Sequence, residues 1–322
     1  MATPQHDVIM IGAGPSALAA AVYTTREDID TLIIEKGAIG GLAAITDVVD
    51  NYPGFAEGVG GLELADRLQA QAERFGAKIE FGEVKSIEDK GDYKLVVTTD
   101  GELKAKAVLI ATGSEYKKLG IAGEQEYYGR GVHYCATCDG AFYRDKRLVV
   151  VGGGNSAVQE TLFLTRYASH IDMLVRSELS ASDVLQRDLQ KYVSEGKVTV
   201  HLATTTDEIH GAEGKVTSVT ITKNGTKGSI ETDGVFVFIG LKPTTQFLEN
   251  SKITLDEQGF IVTDKHLMTS VPGIFASGDV RSGATMQIAS AVGEGATAAL
   301  SIREYLEGRL VSDTDANFTK TY

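Results

Sequence analysis

Only two cysteines occur in 322 residues, standing three positions apart as Cys135 and Cys138. A framework of structural disulfides is thereby excluded, since such scaffolds need several cysteines spread along the chain. A structural zinc site is argued against too, because it needs four thiolate or imidazole ligands and only His133 lies near the pair. Basic charge is also scarce. Lys and Arg number 31 against 44 Asp and Glu, a formal net charge of −13, whereas nucleic acids and anionic membranes both demand clustered cations. Neither is expected as a partner, which leaves small molecules and proteins. No apolar run is long enough to cross a bilayer, and the polar start MATPQHDV passes directly into strand-like residues without a signal-peptide pattern. The expected location is the cytoplasm. In that reducing compartment a C-x-x-C pair reads as redox chemistry or metal binding rather than as a staple.

Hydrophobic residues make up 43% of the chain and glycines number 36, which suits about two packed domains of ordinary size. The first segment, DVIMI at Asp7–Ile11, is a branched apolar run followed by a glycine turn and the helix-like SALAAAVYTTRE. A second buried strand, TLIIEK, ends in an acid at Glu35. After the irregular GGLAAITDVVDNYPGF, the segment GLELADRLQAQAERFGA carries apolar residues at helical spacing and stops at Gly76. Strand-like stretches follow at KIEFGEVKSIE, YKLVVTTD and ELKAKAVLIATG. Near Lys146 the pattern restarts, with RLVVVGGGNSAVQETLFLTRYA giving strand, glycine turn and helix, and HIDMLVR giving the next strand. Further strands are read at KVTVHLA, KVTSVTIT, GVFVFIGL and GIFASGDV, before the small-residue closing helix in MQIASAVGEGATAALSIREYL. The glycine turns begin at Gly12 and Gly152, a spacing too long for a solenoid repeat and suited to two nucleotide-binding modules.

Both turns fit the G-x-G-x-x-G/A pattern in the context that gives it meaning, after a strand and at the start of a helix. In Gly12-Ala13-Gly14-Pro15-Ser16-Ala17 the glycines let backbone N–H groups approach a pyrophosphate, whose charge the helix N-terminus favours. Glu35 follows Gly14 by 21 residues, where a carboxylate can bind a ribose hydroxyl. The second turn supplies Gly152, Gly154, Asn155 and Ser156, but the strand after it ends Val175-Arg176-Ser177-Glu178. A 2′-phosphate needs cationic forks, and here Arg176 stands alone with Glu178 nearby to repel a phosphate. NADPH is disfavoured there, and NADH, NADPH, a second flavin or no ligand at all remain open. In the Cys135-Ala136-Thr137-Cys138 turn, one thiol of such a loop attacks an external disulfide and the other closes the ring. Asp139 follows as a candidate proton carrier. His133, Tyr134 and the other histidines, His6, His170, His201, His210 and His266, are read as packed or solvated residues without a catalytic assignment.

Taken together, GAGPSA, the Gly40-Gly41 pair, DNYPGF, ATG at Ala111–Gly113, HYCATCDGAFY, GGGNSA and FASGDV, in that order, resemble the low-molecular-weight thioredoxin reductase family along nearly the whole chain. The resemblance implies an α/β fold of two Rossmann-like, three-layer dinucleotide-binding domains. The FAD domain is discontinuous, at residues 1–115 and 244–322, and a central domain at 116–243 carries the cysteines and the second glycine motif. It implies FAD held by Gly12, Gly14, Pro15, Ser16, Glu35, Lys36, Gly41, Leu42, Asn51, Val84, Ala111, Thr112, Gly113, Gly278, Asp279, Met286, Gln287 and Ile288. It implies further that Cys138 receives electrons from the flavin, Cys135 attacks a thioredoxin-like partner and Asp139 handles the proton. A homodimer is implied too, with a hinge through Ser114–Lys117 and Leu241–Thr244.

The chain also departs from that family. NADPH-using relatives carry a histidine, two arginines and a further arginine where this sequence has Val175, Arg176, Ser177 and Ala181. Met286-Gln287 replaces a frequent Arg-Gln pair, and Leu42 replaces a frequent glutamine. The polar tail with Phe318 and Tyr322 is similar to tails whose aromatic covers the flavin in related reductases. An atypical branch is therefore expected, taking electrons from reduced ferredoxin, NADH or another donor rather than NADPH. Two other functions compete: a ferredoxin–NADP reductase-like flavoenzyme and a redox-sensing flavoprotein without turnover.

Overall fold

A strand covered on both faces needs apolar side chains in both directions, which a run of consecutive branched residues supplies. In the computed structural model, which describes residues 4–46, 48–49 and 51–310, the strand His6–Ile11 is of this kind. Its Val8 and Met10 pack with Ala17, Leu18 and Ala21 of the helix Pro15–Thr25, while Ile9 and Ile11 enter a second cluster with Ile87 and Val96. The period-two alternation thus divides one strand between two cores. Phe318 and Tyr322 lie outside the described residues.

The contacts divide the chain into two units, Met1–Glu115 with Lys242–Tyr322, and Tyr116–Leu241. The first holds a seven-stranded sheet. Its parallel part runs Lys78–Phe81, Thr31–Glu35, His6–Ile11 and Gly101–Ile110, with Ile274–Ala276 also parallel to the last. An antiparallel meander of Lys94–Thr98 and Val84–Asp89 continues from the early half of Gly101–Ile110. The second unit holds five parallel strands, in the order Val132–His133, Gly234–Val237, Arg147–Val151, His170–Leu174 and Val198–His201. Alongside them lies an antiparallel sheet of Thr204–Ala212, Lys215–Lys223 and Thr226–Glu231. Two strand–glycine–helix modules, each on a mostly or wholly parallel sheet, are the Rossmann-like architecture read from the sequence. The chain crosses between the units at Ser114–Tyr116 and Leu241–Pro243, two short strands that pair with each other.

In the first unit the closing helix Ile288–Leu306 lies against Pro15–Thr25 through small residues. A Cβ at Gly295 would stand 2.1 Å from the Ser16 carbonyl oxygen, so the two helices meet backbone to backbone with no room for a methyl group. Gly295→Val should therefore destabilise the fold by roughly 1–3 kcal/mol, the usual cost of overpacking. The measurement is a thermal melt of the purified variant. An unchanged midpoint would show that the helices separate at no cost.

Candidate functional site

The first glycine turn is shaped by what its backbone touches. Gly12 sits at φ +96°, donates its N–H to Ile34 O over 2.8 Å, and a Cβ there would lie 2.6 Å from Ala111 O. Only glycine permits both the conformation and the approach to the end of strand Gly101–Ile110. Gly14 caps the helix with nothing within 4 Å of a would-be Cβ, and Pro15 occupies the first turn, where its missing N–H costs nothing. A side chain at Gly14 would therefore meet open space at the helix N-terminus, where a phosphate is favoured.

Three further segments of this unit surround the turn. The Glu35 carboxylate accepts N–H groups from Ala13 at 2.7 Å and Gly37 at 2.6 Å, with exposed Lys36 between its own two neighbours. Gly40 donates to Ala13 O at 2.8 Å, and a Cβ on Gly41 would be 3.9 Å from Gly14 Cα. Leu42, next along, is exposed. Ala111–Gly113 follows the central strand, and Thr112 Oγ1 donates to Thr244 O over 2.8 Å. From the far end of the chain, a Cβ on Gly278 would lie 3.2 Å from Ser16 Cβ, while Ser277 and Ser16 share a buried hydroxyl contact of 2.7 Å. Met286 takes φ +57°, Gln287 caps the helix that starts at Ile288, and Asn51 Nδ2 donates to Gln287 Oε1 at 3.0 Å. Val84 stands apart from this polar group, because its side chain is buried among Ile9, Ile34 and Val96.

One part of this wall was not foreseen. The Glu294 carboxylate accepts the Gly278 N–H at 2.8 Å and a two-point grip from Arg281 at 2.6 and 3.1 Å. Burial, together with the negative charge of Glu294, pushes the Asp279 carboxyl up to about 6. The signal was an acid in the small-residue stretch VGEGATAA, whose target lies 16 residues away.

The second unit repeats the cradle. Gly152, at φ +143°, could carry no Cβ because Phe238 O would lie 2.3 Å away, and Gly154 caps the helix Asn155–Leu164. Asn155 Oδ1 accepts the Ser182 N–H at 2.8 Å, and Ser156 is exposed. Counting 21 residues from Gly14 gives Glu35, whereas the same count from Gly154 gives Val175, which is 2% exposed. Ala181 is buried and Arg176 is exposed. Among the described residues, Val175 thus stands where the first module has Glu35, and Arg176 is the one cation in the segment Val175–Ala181.

Cys135 and Cys138 are joined as a disulfide across a four-residue helix, Ala136–Asp139. Ala136 is fully buried in the core with Val158, Leu164 and Phe236, which anchors the turn while leaving both cysteines partly accessible. Cys135 Sγ accepts the Cys138 N–H at 3.2 Å and lies 3.4 Å from Thr137 Oγ1. At the end of the turn, Asp139 Oδ2 stands 3.2 Å from His133 Nδ1. Glu160, on the next helix, offers its carboxyl to the Ala136 N–H, and burial raises that carboxyl above its ordinary range. Among the described residues, no three His, Cys, Asp or Glu groups are placed to hold a metal ion.

Two dinucleotide cradles in one chain, with a redox disulfide turn in the second unit, define a pyridine nucleotide-linked disulfide oxidoreductase. Comparison with known proteins agrees. The family model described as "Pyridine nucleotide-disulphide oxidoreductase" matches residues 6–295. A thioredoxin reductase of Bacillus subtilis is 46% identical over 305 residues, 94% of this chain and 95% of its own. The crystal structure of a thioredoxin reductase from Streptococcus pyogenes matches with TM-score 0.88 and 42% identity, covering 94% of this chain and 98% of its own. One from Giardia duodenalis also reaches TM-score 0.88, at 31% identity over 95% and 100%. The chain belongs to the pyridine nucleotide-disulphide oxidoreductases, in the low-molecular-weight thioredoxin reductase family, and is an FAD-dependent disulfide oxidoreductase.

Proposed function

We propose that the protein reduces the disulfide of a thioredoxin-like partner, with Cys135 as attacking thiol, Cys138 as the sulfur reduced by the flavin, and Asp139 as proton carrier. The observation that carries this reading is the disulfide turn itself, which is partly accessible, anchored by Ala136 and closed by a carboxylate. The open cradle fits FAD. Backbone N–H groups of Gly14, Pro15's successor Ser16 and their neighbours would hold the pyrophosphate, and Glu35 a ribose. Lys36, Gly41, Leu42, Asn51, Ala111, Thr112, Gly113, Gly278, Asp279, Met286, Gln287 and Ile288 would complete the site, with Val84 offering only backbone. When bound, FAD would supply a carrier that accepts an electron pair from a donor and yields it to a disulfide. We place the protein in the cytoplasm as a homodimer, in keeping with its resemblance to thioredoxin reductases.

The donor is the finer question. The segment after the second cradle offers Arg176 to a 2′-phosphate, with Ser177 and buried Ala181 where the family resemblance implies arginines. A donor other than NADPH, whether reduced ferredoxin, NADH or another, is the reading favoured. Each missing charge-assisted contact is worth about 1.5–3 kcal/mol, so NADPH should bind at least about 10-fold more weakly than a clamped site would allow. Stopped-flow bleaching of the flavin by NADPH, NADH and reduced ferredoxin, side by side, measures this. Fast bleaching by micromolar NADPH would overturn it, and bleaching by ferredoxin alone would move the donor away from nucleotides. Turnover of oxidised thioredoxin with reduced viologen then separates a reductase from both competing functions, since neither a ferredoxin–NADP reductase-like enzyme nor a sensor would reduce it.

A further inference from the structure

His133 ties Asp139 to a second buried group that the proposed reaction leaves without a role. The imidazole is 8% exposed. It directs Nδ1 to Asp139 Oδ2 over 3.2 Å and Nε2 to the Tyr143 hydroxyl over 2.7 Å. Its ring cannot easily turn, because Phe236 stacks on it at 5.1 Å and Tyr143 meets it edge-on at 5.2 Å. Strand pairing fixes the backbone as well, with His133 opposite Phe236. The three residues come from the strand before the cysteine turn, the turn itself and the 3-10 helix Gly140–Tyr143 after it.

The direction of each hydrogen bond follows from the network, since hydrogens themselves are assigned by their partners. Burial and the negative charges of Asp139 and Asp233 hold the Tyr143 phenol well above its ordinary range, so it keeps its proton and donates to Nε2. A neutral imidazole with Nε2 accepting carries its one N–H on Nδ1, the nitrogen that stands 3.2 Å from Asp139 Oδ2. The other titratable groups facing this assembly are Tyr128, whose phenol burial and Asp139 also raise, Asp233 near Tyr143, and Glu160 at the Ala136 N–H.

We propose that His133 is a positioning residue for proton delivery, which holds the Asp139 carboxylate oriented at the end of the cysteine turn. This rests on the proton-carrying role proposed above for Asp139. In that reaction the Cys135 thiolate attacks one sulfur of the partner disulfide; the partner S–S bond breaks and its other sulfur leaves as a thiolate. Cys138 gives its proton to Asp139 and attacks Cys135 Sγ, the intramolecular S–S bond forms, and the second partner sulfur leaves. The proton on Asp139 goes to a departing thiolate, and the proton earlier lost by Cys135 accounts for the other. A carboxylate that serves both steps must stay beside the sulfurs in each, and the 3.2 Å contact with Nδ1 is what keeps it from turning away.

The test compares His133→Leu, His133→Asn, Asp139→Asn and the double variant His133→Leu with Asp139→Asn. Each is purified as holoenzyme, reduced with dithionite and reoxidised with oxidised bacterial thioredoxin across the neutral pH range, with flavin content as the folding control. Loss of this polar contact on Asp139 should slow His133→Leu by about 10- to 100-fold and displace its pH–rate profile. Asparagine, whose Nδ2 can stand near the Nδ1 position, should recover most of the rate. With Asp139 already replaced, losing His133 should cost less than about 2-fold more, because coupled residues are not additive. The proposal is overturned if His133→Leu keeps the parent rate and profile while Asp139→Asn is slow, if asparagine rescues nothing despite full flavin content, or if the two losses simply multiply. An Asp139→Asn variant at full rate would instead remove the underlying role of Asp139.

Discussion

Cys138→Ser should retain its flavin, lose turnover by roughly three orders of magnitude or more, and trap its protein substrate as a covalent adduct. The expectation follows from what each sulfur must do. Cys135 alone can still attack a partner disulfide, because the attack needs one thiolate and one S–S bond. Release of the partner needs a second sulfur, and a serine hydroxyl neither forms a stable bond to sulfur nor leaves as a thiolate. The Cys135 adduct should therefore persist and run as a larger species on a non-reducing gel. Structure gives little reason for the variant to misfold. Serine is close to cysteine in size, the Cys138 N–H that bonds Cys135 Sγ belongs to the backbone, and the anchor of the turn is Ala136. The first glycine cradle is built wholly from other segments, so flavin absorbance should be unchanged. Cys135→Ser should form no adduct at all. If Cys138→Ser turns over at the parent rate, the dithiol mechanism is wrong. If the adduct appears only in Cys135→Ser, the two cysteines exchange roles.

Much of the architecture could be read before any coordinates because its signals are local. DVIMI, TLIIEK and RLVVV are branched apolar runs, and a strand buried on both faces needs that composition. Polar elements left no such mark. The helix Asp183–Ser194 buries only Leu189 fully, and the strands Thr204–Ala212 and Thr226–Glu231 are rich in threonine and charge, so none was anticipated. KIEFGEVKSIE reads as one strand yet splits at Gly82 and Glu83. Lys78–Phe81 pairs with Thr31–Glu35, and Val84–Asp89 pairs antiparallel with Lys94–Thr98 across the sheet. Site residues divide in the same way. Glu35 is legible from its spacing to Gly14, whereas Glu294 bonds Gly278 only because the closing helix folds back. His133 gave no signal, since its value lies in aiming two nitrogens at Asp139 and Tyr143. His170 and His201 look scattered along the chain. In the parallel sheet they converge on Asp172, at 3.6 and 2.8 Å, because Leu174 pairs with His201.

The Gly12→Ala substitution should strip the flavin, and its comparison with Gly14→Ala separates two reasons for conserving space at a nucleotide turn. At Gly12 the obstacle is the protein itself. The residue holds φ +96°, and a methyl group would lie 2.6 Å from Ala111 O and 3.1 Å from Thr112 Cα, both backbone. Left-handed conformation costs a non-glycine residue about 1–2 kcal/mol, and overpacking adds about 1–3 kcal/mol. The turn relieves both by moving off strand Gly101–Ile110, which spoils the aim of the helix N-terminus. A loss of about 2–5 kcal/mol in the bound conformation weakens FAD by roughly 30-fold or more. At Gly14 the protein offers no obstacle, because φ is −75° and nothing lies within 4 Å of the added carbon. Any flavin lost by Gly14→Ala must come from collision with the ligand. Equilibrium flavin titration and thermal melts of the flavin-free proteins therefore give distinct patterns: Gly12→Ala loses both affinity and stability, Gly14→Ala affinity alone. Parent-like flavin retention by Gly12→Ala would mean that the cradle does not depend on the contact between Gly12 and Ala111, and that the dinucleotide is held elsewhere.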